Sequence, residues 1–127
     1  IGDKIVFFES GAHISESDVS LLSTVKEGEL ERWKGSSNHF EKTIVNAISF
    51  EKFYSTCILK FDFVSIDCEG LDLELLKVMP LSDMGVELIC LEHNSNPIVE
   101  HIMIDYCFNH GLSNILLENA ENIIISI

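Results

Sequence analysis

The sequence predicts an α/β fold with a mostly parallel sheet and an antiparallel hairpin at one edge. Three observations predict it. Residues 61–110 alternate strand, helix, strand, helix, the pattern of parallel strands joined by helical crossovers. Residues 113–127 hold two apolar runs around a polar Glu118-Asn119-Ala120-Glu121 turn, which reads as a hairpin. The only two prolines, Pro80 and Pro97, both fall at element boundaries.

In chain order, residues 4–9 (KIVFFE) read as a strand, broken by Gly11-Ala12-His13. Residues 18–34 are polar with scattered Leu and read as one helix or a loosely helical insertion, closed by the loop Gly35-Ser36-Ser37-Asn38. Residues 43–48 (TIVNAI) read as a strand. Ser49 offers an N-cap for a short helix carrying Phe50, Phe53 and Tyr54 on one face. Residues 61–67 (FDFVSID) form the next strand, and 71–79 a helix stopped by Pro80. Residues 86–92 (VELICLE) read as a strand, near-continuous in apolar residues through its middle. Ser95 or Asn96 can cap the following helix, with Pro97 at its first position. Val99, Ile102, Met103, Tyr106 and His110 fall on one helical stripe, and Gly111 supplies the stop.

The length, 127 residues, suits one domain spanning 1–127, with 46% apolar residues for a core. Eight basic against 21 acidic side chains give a formal charge of −13. Such a surface repels phosphate backbones and anionic lipid, so neither nucleic acid nor a membrane is an expected partner. Cys57, Cys68, Cys90 and Cys107 form no C-x-x-C pair, which argues against zinc and for reduced thiols in a cytoplasmic protein.

Candidate chemistry follows from topology. Asp67 ends one expected parallel strand; Glu92 and His93 end the next. A right-handed crossover points both ends the same way, so Asp67, Glu69, Glu92 and His93 should gather on one rim of the sheet. Open α/β sheets bind ligands beyond the carboxyl ends of their strands. Carboxylates there can hold a divalent cation, orient a substrate hydroxyl or accept a proton, and His93 can serve as a base. The plainer readings are helix capping, compensation of a helix dipole, or simple solvation. Asn94 reads mainly as a loop residue. His101 and Asp105, four apart, read as a solvated pair; His13 and His39 lack matching ligand spacing. Trp33 reads as a packing residue or part of a lid.

The stretch Phe63 to Lys77 (FVSIDCEGLDLELLK) resembles the "DFLKIDVEGxELEVLKG" signature of FkbM-type methyltransferases. Leu88-Ile89-Cys90-Leu91-Glu92 resembles the following strand of that family, and 45–53 and 111–124 resemble its flanking segments. The resemblance covers roughly residues 43–127. It implies a Rossmann-like class I methyltransferase fold, here its C-terminal half, using S-adenosylmethionine to methylate a hydroxyl of a sugar or other small metabolite. It places Asp67 and Glu69 as the acidic pair facing the cleft, and Glu92 at the acidic end of the next strand. Cys68 departs from the family's usual Val, and Val78 from its usual Gly. No D-x-G-x-x-x-G or G-x-G-x-x-G occurs among the seven glycines, so the cofactor-gripping turn is missing from these residues. A half-sheet would expose a strand edge, which implies a homo-oligomer, most simply a two-fold dimer. Two other readings compete: a non-catalytic α/β interaction module, and a Mg²⁺-dependent hydrolase or phosphotransferase using Asp67, Glu69 and Glu92.

Overall fold

A computed structural model describes residues 3–11, 14–16, 22–35, 39–57 and 60–127. His13 and the loop residues 36–38 lie outside them, as do 18–21 of the segment expected to be helical. Eleven elements follow in order: β1 (Asp3–Glu9), α1 (Glu27–Arg32), β2 (Glu41–Ala47), α2 (Phe50–Cys57), β3 (Phe63–Ile66), α3 (Asp72–Val78), α4 (Leu81–Met84), β4 (Leu88–Glu92), α5 (Pro97–Asn109), β5 (Asn114–Glu118) and β6 (Asn122–Ser126). They group into two compact units. One takes Ile1–Ser49 with Cys68–Gly70, the other Phe50–Asp67 with Leu71–Ile127.

In the smaller unit β1 and β2 form an antiparallel two-stranded sheet, in register from Asp3↔Ala47 to Glu9↔Glu41. On β1's other side, Phe8 and Thr24 exchange backbone bonds of 2.7 and 3.0 Å. The buried Ser10 hydroxyl accepts from the Leu22 N–H at 2.9 Å. Thr24 thus bridges to β1, and in the described part of 18–34, expected to hold one helix or a loosely helical insertion, the helix is the six residues of α1. Burial follows this pairing, because Phe8, Ser10, Leu22 and Thr24 are the buried side chains among the described residues of this unit.

The larger unit is a mixed α/β layer built on a four-stranded sheet of order β3-β4-β6-β5. β3 and β4 are parallel, β4 and β6 antiparallel, and β6 and β5 antiparallel. The closing hairpin β5–β6 takes one edge of the sheet, as expected, but the expectation of a mostly parallel sheet is corrected. Only one pair is parallel, and the antiparallel strand β6 lies inside, between β4 and β5. The reason is the turn at 119–121, which folds β6 back against β5 on the side facing β4. The strands at 4–9 and 43–48 do not join this sheet; they pair with each other.

One face of the sheet is dry. Ile66, Ile89, Leu91, Ile123 and Ile125 are at most 3% exposed, and Leu76 of α3 with Met103 and Cys107 of α5 is wholly buried. The registers Ile66↔Leu91, Leu91↔Ile123 and Ile89↔Ile125 put the five strand residues on one side. Asn96 caps α5, its Oδ1 accepting from the Ile98 and Val99 N–H groups at 3.1 and 3.3 Å, with Pro97 at the first helical position. After α3, Pro80 opens the single turn α4, which Gly85 ends at φ +74°. Four residues are too few for a sequence period to reveal. Among the described residues no helix is long and apolar enough to cross a membrane.

Ile123→Ala should cost about 3 kcal/mol in denaturant unfolding, because it empties a fully buried site. Ile115→Ala on the end strand β5, 41% exposed, should cost under about 1 kcal/mol. Burial pushes the Cys107 thiol up from 9.0 to about 12, and burial followed by the neighbouring Cys107 raises Tyr106 as well. The unfolded chain releases the thiol proton near 9.0 while the folded chain keeps it. That contribution to stability is whole below pH 9.0 and falls as pH rises toward about 12. Unfolding free energy should therefore decline between pH 8 and 11, with a smaller slope in Cys107→Ala.

Candidate functional site

The parallel register of β3 and β4 runs Phe63↔Leu88 to Ile66↔Leu91. Continued by one residue, it sets Asp67 beside Glu92, at the carboxyl ends of neighbouring strands. The chain then turns through Glu69 (φ +45°) and Gly70 (φ +94°) into α3, whose first residue is Asp72. One carboxylate oxygen from each of Asp67, Asp72 and Glu92 lies within 4.8 Å of the others. Asp67 is exposed, Glu92 half-buried, and Asp72 only 3% exposed.

Three acids this close repel one another by roughly 1 kcal/mol per pair in bulk water, and by more in a partly buried setting. Local groups offset part of that. Asp72 sits in the first turn of α3, where the helix dipole favours an anion. The Asn94 Nδ2 donates to Glu92 Oε2 at 3.1 Å. The arrangement attracts whatever brings a proton or positive charge: a hydroxyl donor or a cation.

The other expected residues have different surroundings. The His93 ring is 3% exposed; its Nε2 is 3.2 Å from the Asn119 carbonyl oxygen and 3.5 Å from Glu100 Oε1. His93 Nδ1 and Asn94 Oδ1 are buried with no hydrogen-bond partner among the described residues. Glu69 belongs to the smaller unit, where its carbonyl accepts from the Thr24 hydroxyl at 2.9 Å. His101 and Asp105 are 3.5 Å apart and largely exposed, a solvated pair. Trp33 ends α1 with the Arg32 guanidinium 5.0 Å from its ring centre.

Asp72 is the acid that sequence reasoning missed. The signal for it was its position, just inside a helix that follows a glycine turn from Asp67. An apolar cavity of about 260 Å³, lined among others by Phe50, Phe53, Phe63 and Met79, lies beside β3 and contains none of these three acids.

No protein-family model, no curated protein and no solved structure matches this chain.

Gly70→Ala should lose about 1–2 kcal/mol of stability, from a side chain held at φ +94°. Its new Cβ would meet Glu29 Oε1 at 2.7 Å, the end of a flexible side chain that can swing away. Gly28→Ala, with nothing within 4 Å and a helical backbone in α1, should instead gain up to about 1 kcal/mol. Paired denaturant curves check both signs.

Proposed function

We propose that the larger unit is the acceptor-side part of an S-adenosylmethionine-dependent O-methyltransferase, and that Asp67, Asp72 and Glu92 receive the hydroxyl of a sugar or similar small metabolite. One observation carries the reading: two neighbouring parallel strands deliver Asp67 and Glu92 to the same rim, with oxygens of all three acids within 4.8 Å. That rim is where open α/β sheets bind ligands. The signature-like stretch from Phe63 to Lys77 supports the same reading.

The residues present do not fit the cofactor. Methyl transfer needs a tight glycine turn to cradle it, and the glycines here stand singly in the chain. The one glycine in the turn after β3 is Gly70, and the space a Cβ would take there already holds the Glu29 side chain, 2.7 Å away. No step is therefore derived through the cofactor. What the chain's own residues do is orient and deprotonate. Glu92, steadied by Asn94, accepts a hydrogen bond from a neighbouring hydroxyl of the acceptor molecule and so orients it, leaving the proton of the reacting hydroxyl to Asp67. Asp67, the exposed acid, takes the proton and passes it to water. Buried Asp72 stands within 4.8 Å of both, where its carboxylate favours a proton or positive charge arriving between them.

The same carboxylate spacing favours a second reading, a divalent cation bound by the three acids. Mg²⁺ and Ca²⁺ take oxygen ligands at roughly 2.0–2.6 Å, which carboxylates this close can supply around one ion.

A screen of polyhydroxylated small molecules against the isotope-labelled chain tests the proposal. Backbone shifts should move at Asp67, Asp72 and Glu92 and stay still in Asp67→Asn. Binding that maps away from all three residues overturns it. In calorimetry, the chain by itself should show no tight S-adenosylmethionine binding. Melting scans with Mg²⁺ or Mn²⁺ separate the second reading: saturation at 100 times Kd would add about 2.7 kcal/mol, and an unchanged melting temperature removes it.

A further inference from the structure

We infer that His93 and Ser95 are positioning residues, through which the β5–β6 turn holds the 93–95 loop and so fixes the Glu92 carboxylate at the rim. The loop is strained. Asn94 and Ser95 are consecutive non-glycine residues in left-handed conformation, at φ +53° and +57°. Such backbone persists only where its surroundings over-determine it. Here the surroundings are the turn at 119–121, reached by three bonds. The His93 N–H donates to the Glu121 carbonyl at 2.7 Å, the His93 Nε2 faces the Asn119 carbonyl at 3.2 Å, and the Ser95 hydroxyl donates to the Ala120 carbonyl at 2.6 Å.

The turn is itself closed. Asn119 Oδ1 accepts from the N–H groups of Glu121 and Asn122 at 2.9 and 2.8 Å, and the Asn119 N–H donates to the Asn122 carbonyl at 3.0 Å. A rigid turn therefore grips a strained loop. The grip has one consequence at the rim, because it sets the Asn94 amide against Glu92 Oε2.

The ring chemistry of His93 agrees. A carbonyl only accepts, so the ring carries a proton on Nε2, the nitrogen that faces Asn119. With 3% of the residue exposed, the ring cannot meet a substrate. It acts through Asn94 and Glu92. The functional meaning of this rests on the rim's binding role; the positioning itself does not.

The test follows the Asn94 side-chain NH₂ resonances of the labelled chain through the carboxylate titration. In the unmodified chain they should shift as Glu92 takes up its proton. Ser95→Ala and His93→Leu should cut that shift by more than half while the rest of the spectrum stays folded. His93→Gln, whose amide N–H can reach the Asn119 carbonyl, should restore it. A full-sized shift in folded Ser95→Ala or His93→Leu overturns the inference. If His93→Leu does not fold, Ser95→Ala decides alone, since it removes one exposed hydroxyl. No ligand enters this measurement, so its failure and that of the small-molecule screen are read separately.

Discussion

The larger unit depends on β4 being held along both edges, by β3 in parallel and by β6 in antiparallel. That strand carries Ile89 and Leu91, both wholly buried, into the core. The same pairing settles where its last residue goes. A parallel neighbour must end at the same side, so Glu92 arrives beside Asp67. An antiparallel neighbour must begin there, so β6 starts beside Glu92, at Asn122. The acidic rim and the turn that steadies it are thus two results of one sheet order.

That order also explains why the rim tolerates its own repulsion. Three acids within 4.8 Å and two consecutive left-handed residues all raise the free energy of the folded chain. They are tied to a wholly buried part of the larger unit, where Ile123 and Ile125 of β6 lie beside Leu91 and Ile89 of β4. A rim built from mutually repelling groups needs such an anchor, since without it the acids would separate into water.

Much of this was legible in the sequence, and the rest was not for identifiable reasons. The helical stripe from Val99 to His110, its Asn96-Pro97 start and its Gly111 stop are local signals, and α5 follows them. The meeting of Asp67 and Glu92 follows from the hand of a crossover, which local sequence does not contradict. Asp72 was hidden because its direction depends on a turn with two positive φ values, at Glu69 and Gly70. The burial of His93 was hidden because its partner, Asn119, lies 26 residues away. Alternating apolar residues in 122–126 announce a strand, yet they do not say whether its neighbour is β5 alone or β5 and β4. For the same reason the strands at 4–9 and 43–48 could not be excluded from the main sheet, although they pair only with each other and with residues near Thr24 among those described.

Asp67 and Glu92 stand at adjacent strand ends, close enough to feel each other's charge. A double-mutant cycle of Asp67→Asn and Glu92→Gln, by denaturant unfolding at neutral pH and low salt, measures this directly. Mutual repulsion should give non-additivity of about 0.5–1 kcal/mol, of the sign for repulsion relieved by either change alone, and shrinking as salt screens it. Additivity within about 0.3 kcal/mol at low salt would mean the two acids do not meet.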